Sequence, residues 1–312
     1  MKTIKDFDVK NKKVLVRCDF NVPFDDKEKI TDDFRIEQTL PTLKFLQKKG
    51  AKLILMSHLA DGKSLDPVWK KIKIKAKFLD NLRLDKREKE NSDEFAKELA
   101  DLADIYINDA FGVCHRKHAS VSAITKYLPS GAGLLLEKEL KILNKVLESP
   151  KIPLVAIIGG TKLESKAKVI DNFLKIADYV LIGGKIGEAS ELKKLKYSKL
   201  ILPEDYVDDF DIGPKTIKRF EEIIKTAGTV VWAGPMGKFE EKKYEGGTKK
   251  IAQAITKNKK AFKIAGGGDT LFALKKFKLR KEFNHLSTGG GAMLAFLAGE
   301  ELPGLKALGY YK

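Results

Sequence analysis

Residues Ala261–Phe277 read AFKIAGGGDTLFALKKF. A short apolar run, Ala261–Ala265, stops at three glycines, Asp269 and Thr270 follow, and Leu271, Leu274 and Phe277 then recur at helical spacing. Strand, glycine turn, polar cap and helix in that order aim backbone N–H groups and a helix N-terminus at an anion. Glycines let a phosphate approach the backbone closely, and Asp269 is placed to hold a metal ion that rides on that phosphate.

The same layout recurs. LVAIIGG ends at Gly160, YVLIGG at Gly184, TVVWAGPMG at Gly237 and FKIAGGG at Gly268, while STGGGA at Ser287–Ala292 opens a last apolar helix. Each apolar run has the length and β-branched content of a buried parallel strand, and helical patterns follow most of them. In a doubly wound sheet such strand ends converge on one crevice, where ligands bind. Neither G-x-x-x-x-G-K-[ST] nor G-x-G-x-x-G occurs. A single glycine turn ends strands in any α/β protein. GGGDT and STGGGA together carry the nucleotide reading, because triple glycines cost backbone entropy and add nothing to packing.

The 312 residues suffice for about two domains. Hydrophobic residues make up 43% and charged residues 33%, the balance of a soluble globular chain. No stretch has the apolar length of a membrane span, and MKTIKDFDVK lacks a signal-peptide core. With only Cys18 and Cys114, no disulfide framework is expected and the cytoplasm is the expected compartment. The net charge of +17 admits nucleic-acid binding. However, the basic residues are spread along the chain and rarely neighbour aromatics, which favours a Lys-rich surface around anionic small substrates, with no nucleic-acid partner. Of the 60 basic residues only seven are arginine, and Arg17, Arg35, Arg83, Arg87 and Arg116 fall in the first 116 positions. Where Lys is the default cation, an Arg marks a need for its bidentate fork. The N-terminal half therefore reads as a carboxylate or phosphate site.

Lys13–Cys18 (KVLVRC) reads as the first strand and runs into Asp19-Phe20-Asn21-Val22-Pro23. A helix follows from Thr31, with Ile36, Leu40, Leu43 and Leu46 in phase, and Pro41 predicts a kink or break in it. AKLILMSH is the second strand, with His58 past its end; a short helix is expected around Pro67–Lys73 and another over Asp93–Leu102. DIYINDAFG is the third strand and ends at Asp109. Cys114, His115 and His118 are possible metal ligands, but no second cluster completes a zinc set, so anion contact from Arg116 with a histidine assisting is the better reading. Glu137–Glu148 is an amphipathic helix, and residues 149–153 form the expected domain boundary. Beyond it, Lys162 and Lys166 share a helix face directly after a glycine turn. Lys193–Leu202 reads as a strand-like return. The three aspartates of LPEDYVDDF are either a metal site or an acidic loop before a helix.

With these turns laid out, the sequence resembles phosphoglycerate kinase over nearly its whole length. The match is carried by DFNVP at 19–23, TDDFRI at 31–36, SHL at 57–59, NLR at 81–83, NDAFG at 108–112 and HRKHAS at 115–120. It continues with GGTKLESK at 159–166, DIGPKT at 211–216, GPMGKFE at 234–240, GGGDT at 266–270 and STGGGA at 287–292. The resemblance implies an α/β hinge enzyme of two doubly wound parallel-sheet domains joined by a helix. Residues 1–149, with 299–312 returning to them, would bind 3-phosphoglycerate, and 150–298 would bind Mg2+ with ATP or ADP. It assigns Asp19, Asn21, Arg35, His58, Arg83 and Arg116 to the acid substrate. Lys162, Lys166, Gly184, Glu240, Gly267, Gly268, Asp269, Thr270, Gly289 and Gly290 would serve the nucleotide, with Asp269 on the metal. Arg35, Lys166, Gly268 and Gly290 would stabilise the transferring phosphoryl group. A monomer is the implied state.

The chain departs from the family pattern in four ways. It is shorter, with segments missing between His58 and Arg83 and between Gly187 and Leu202. Asp61 stands where the family has an arginine, and Ala233 where it has an asparagine before GPMG. The stretch KIGEASELKK after Gly184 also differs from the usual pattern. These changes motivate one alternative, a catalytically silent nucleotide-binding protein of the same fold.

Overall fold

The computed structural model of the chain describes residues 1–59 and 62–311. They form two compact units, Met1–Lys141 with Glu301–Lys312, and Ile142–Glu300. The division falls inside the Leu134–Glu148 helix.

The first unit is built on β1 (Lys13–Arg17), β2 (Lys52–Met56), β3 (Ala76–Phe78), β4 (Ile105–Asn108) and β5 (Ser130–Ala132). Their order is β3-β2-β1-β4-β5 and every pairing is parallel. Val14–Arg17 and Leu53–Met56 are buried without alternation, as a sheet covered on both faces requires. The chain winds outward from β1 in both directions, so the switch point lies between β1 and β4. Residues just past β1, β2 and β4, namely Asp19, His58 and Asp109, are thereby delivered to one sheet edge. Edge strands β3 and β5 have three residues each, AKF and SGA, too short and too weakly apolar to stand out in the sequence.

The second unit carries β6 (Leu154–Ile158), β7 (Tyr179–Ile182), β8 (Leu200–Ile201), a small antiparallel ribbon of β9 (Tyr206–Val207) and β10 (Asp211–Ile212), then β11 (Thr229–Ala233), β12 (Phe262–Gly266) and β13 (His285–Ser287). The main sheet runs β13-β12-β11-β6-β7-β8, again all parallel. Counted within the unit this is the order 3-2-1-4-5-6 of doubly wound nucleotide-binding folds, with its switch point between β6 and β11.

Three local expectations are corrected. The Phe34–Lys48 helix passes through Pro41 without a break. Pro41 and Glu37 both face outward, where water can take the carbonyl that proline leaves unpaired, while Ile36, Leu43 and Leu46 hold the opposite face in the core. Residues 193–202 are not one strand-like return: a helix over Ser190–Lys194 precedes the two-residue β8. Lys193, Lys194 and Lys196 are exposed and Lys199 is half-buried, and of residues 190–201 only Leu192, Leu200 and Ile201 are buried. The helix expected around Pro67–Lys73 is shorter and earlier, at Asp66–Trp69.

Candidate active site

In the first unit the strand ends assemble a cluster of cations around the buried carboxylate of Asp19. Arg35, in the first turn of its helix, donates from Nη1 to Asp19 Oδ1 at 3.2 Å and to the Asn21 carbonyl at 2.9 Å. His58 is 2% exposed, and its Nδ1 lies 3.2 Å from Arg17 Nη2. Burial first, and then the guanidiniums of Arg17, Arg83 and Arg35, push the His58 pKa far below the ordinary histidine range. Burial together with Arg17 and Arg116 likewise lowers Arg83. Burial and Arg116 lower His115. Mutual depression of this kind requires the cations to crowd one neighbourhood. Within it, Arg83 Nε and His115 Nδ1 are buried with no hydrogen-bond partner. A buried donor without an acceptor, among like charges, suits an anionic ligand.

The second unit brings its glycine turns around two cavities. One, of about 480 Å³, is lined by Lys166, Ala233 and the Gly266–Thr270 turn, and by Gly290 and Gly291 at the start of the last apolar helix. The other, of about 400 Å³, is lined by Gly184, Phe210, Pro235, Gly237 and Glu240. Asp269 lines both. Gly267 caps the Gly268–Lys276 helix with φ 101°, a conformation that favours glycine. A Cβ on Gly290 would lie 2.8 Å from Gly267 Cα, so the two turns touch backbone to backbone. Thr270 Oγ1 accepts from Gly234 N–H at 2.8 Å, tying the end of β11 to this helix. Burial lowers the Lys166 pKa and the Asp269 charge opposes that shift, which sets the lysine beside the carboxylate.

Most of the residues expected at the nucleotide site therefore line one of the two cavities. Lys162 does not: it is exposed and borders neither. Gly289 also borders neither, and acts as N-cap to the helix that Gly290 begins. Asp61 lies outside the described residues. No group of three or more His, Cys, Asp or Glu side chains among the described residues could cage a metal. Cys114 instead contacts the Ala110 carbonyl at 3.6 Å. In the LPEDYVDDF loop Asp205 caps the Pro214–Thr226 helix through Thr216, and Asp208 pairs with Lys243 at 2.6 Å. An exposed carboxylate such as Asp269, next to space for phosphates, fits Mg2+, which takes few protein ligands and shares phosphate oxygens.

Sequence reasoning missed the role of Arg17, although a cation closing an apolar strand was a signal. It also missed Glu88, hidden in the charged run DKREKEN, and Phe210 and Lys238 on the second cavity. Glu88 has no mark of its own in the sequence, whereas Lys238 lies within GPMGKFE and Phe210 closes LPEDYVDDF.

A family model described as phosphoglycerate kinase matches residues 4–77, 68–199 and 188–300. Its breaks at 68–77 and 188–199 fall within the two stretches where segments are expected to be missing. Phosphoglycerate kinase of Dictyoglomus turgidum is 40% identical over 386 positions, covering 98% of this chain and 97% of that protein. The Borrelia hermsii enzyme is 38% identical over 390 positions, covering 99% of both. Among solved structures, phosphoglycerate kinase of Coxiella burnetii superposes with a TM-score of 0.84 at 34% identity, covering 99% of this chain and 98% of its own. The Pyrococcus horikoshii OT3 enzyme gives 0.86 at 28% identity, with the same coverage. The chain belongs to the phosphoglycerate kinase family, and its activity is that family's glycolytic phosphoryl transfer.

Proposed function

We propose that the first unit binds 3-phosphoglycerate through Asp19, Asn21, Arg35, His58, Arg83 and Arg116, and that the second binds ATP or ADP. The observation that carries this reading is Asp269, set at a glycine turn and shared by two cavities beside Lys166. The cavity with Gly184, Phe210 and Glu240 suits the nucleoside, since it offers an aromatic wall and a carboxylate. The phosphates then lie along Gly267, Gly268 and Thr270, at the positive end of a helix.

The acceptor in this reaction is a carboxylate, already ionised at neutral pH, so no general base is needed. The protein's task is positioning and charge neutralisation. Arg35 and Lys166 neutralise the transferring phosphoryl group, and the N–H groups at Gly268 and Gly290 add partial positive charge. Asp269 would hold magnesium, which would supply charge neutralisation to the phosphates. In-line transfer requires the acid substrate to reach the terminal phosphate of the nucleotide. No observation favours a catalytically silent nucleotide-binding protein.

A cytoplasmic monomer without nucleic-acid or membrane partners completes the proposal. Among the described residues no helix is long and apolar enough to cross a membrane, and both cysteines are free and buried. The test is the initial rate of ATP-dependent phosphorylation of 3-phosphoglycerate with magnesium and with excess EDTA. Turnover that EDTA abolishes is expected. ATP binding without turnover overturns the assignment.

A further inference from the structure

Arg17 ends β1 and is 1% exposed, so its guanidinium must find its partners within the protein. Nε donates to Ser120 Oγ at 2.9 Å, Nη1 donates to the Cys18 carbonyl at 2.5 Å, and Nη2 stands 3.2 Å from His58 Nδ1. A guanidinium offers donors only. His58 Nδ1 must therefore accept, and a neutral ring then carries its proton on Nε2.

The other end of Arg17 is anchored just as narrowly. Ser120 Oγ, having accepted from Arg17, donates to Glu88 Oε1 at 2.6 Å, while Ser120 N–H donates to Glu88 Oε2 at 2.9 Å. Glu88 is fully buried and lies 3.9 Å from Arg17 Nη2 and 3.6 Å from His118 Nδ1. Burial opposes its ionisation, yet His118, Arg17 and Ser120 together hold its carboxyl below the usual range. Its main chain joins in, since the Glu88 carbonyl accepts from Ala119 N–H at 2.9 Å. One carboxylate thus ties the loop that carries Arg116 to the strand that carries Arg17.

We infer that Glu88, Ser120 and Arg17 form a positioning chain that holds His58 as a neutral Nε2–H donor to the acid substrate. This rests on the substrate assignment proposed above. All three residues are too buried to touch the substrate, so they act through His58. His58 then supplies a hydrogen bond and transfers no proton, in keeping with an acceptor carboxylate that needs none.

The test is long-range 1H–15N correlation on the 15N-labelled full chain, which reads the protonation of each imidazole nitrogen, combined with steady-state kinetics. In the wild type, His58 should show a protonated Nε2 and a bare Nδ1. Glu88→Gln keeps the shape and an acceptor for Ser120 but removes the charge that orients Arg17. It should shift His58 toward a mixture of tautomers and raise KM for 3-phosphoglycerate about tenfold, the factor of one charge-assisted hydrogen bond, with KM for ATP unmoved. If Glu88→Gln does not fold, Ser120→Ala breaks the same chain with a smaller change and should act in the same direction. A wild-type His58 protonated on Nδ1, or a variant with unchanged tautomer and unchanged KM, overturns the inference. The tautomer reading does not depend on turnover, whereas the kinase assignment fails separately if the wild type binds ATP without turning over.

Discussion

Arg35 Nη1 donates to Asp19 Oδ1 at 3.2 Å, although the two residues come from different elements, a helix start and a loop after β1. The same nitrogen reaches the Asn21 carbonyl at 2.9 Å, so the guanidinium is held in place before any ligand arrives. Orientation paid in advance is what a transition-state cation needs.

Arg35→Ala should therefore lower kcat by about 10³-fold or more, the scale set by other phosphoryl-transfer arginines. Arg35→Lys keeps the charge but loses the fork and should recover little of that rate. Steady-state kcat for both variants checks this; a loss confined to KM would contradict it.

Two glycines of the proposed nucleotide site should respond differently to alanine. A Cβ on Gly268 meets nothing within 4 Å, so Gly268→Ala should leave stability unchanged and weaken nucleotide binding about tenfold, by one misplaced methyl against a phosphate. A Cβ on Gly290 meets Gly267 Cα at 2.8 Å, and Gly267 is backbone in a strained turn. Gly290→Ala should cost about 1–3 kcal/mol of stability as well as affinity. Urea unfolding and nucleotide titration of the pair separate the two effects.

Thr270, proposed above for the nucleotide, also serves the scaffold. Its side chain is fully buried and accepts from Gly234 N–H at 2.8 Å. Thr270→Val leaves that N–H unpaired and should cost about 1–3 kcal/mol in urea unfolding, whereas Thr270→Ser should retain most of the stability.

Asp109 ties pH to stability. Its Oδ1 accepts from Leu135 N–H at 2.9 Å and Leu136 N–H at 3.3 Å, capping the Leu134–Glu148 helix, and burial pushes its pKa up to about 7. The unfolded chain binds that proton less tightly, with a pKa of about 4. Its contribution is thus fully present below about pH 4 and is lost as pH rises through about 7. Asp109→Asn removes the dependence, and the wild type should weaken relative to it by on the order of 2 kcal/mol between pH 5 and 7.5. Asp211, raised to about 6 mainly by burial, acts in the same direction. Urea midpoints at the two pH values decide it.

The sequence determined the sheets and the glycine turns, because both are local. A buried parallel strand needs an unbroken apolar run, and a phosphate turn needs glycine where backbone must come close; KVLVR, LVAII and AGGGDT each state that within a few residues. The arginine count also pointed to a cluster, since Arg35, Arg83 and Arg116 enter one cationic neighbourhood. Only the tertiary structure decided which residues stand behind them. Glu88 looks like one more surface charge in DKREKEN, and it becomes the buried partner of Arg17 and Ser120 through folding across 32 residues to Ser120. The same holds for Lys162, whose spacing from Lys166 places it on the site in sequence and whose side chain is exposed and lines neither cavity. A period of residues fixes a face, but burial and pairing depend on what the rest of the chain packs against that face.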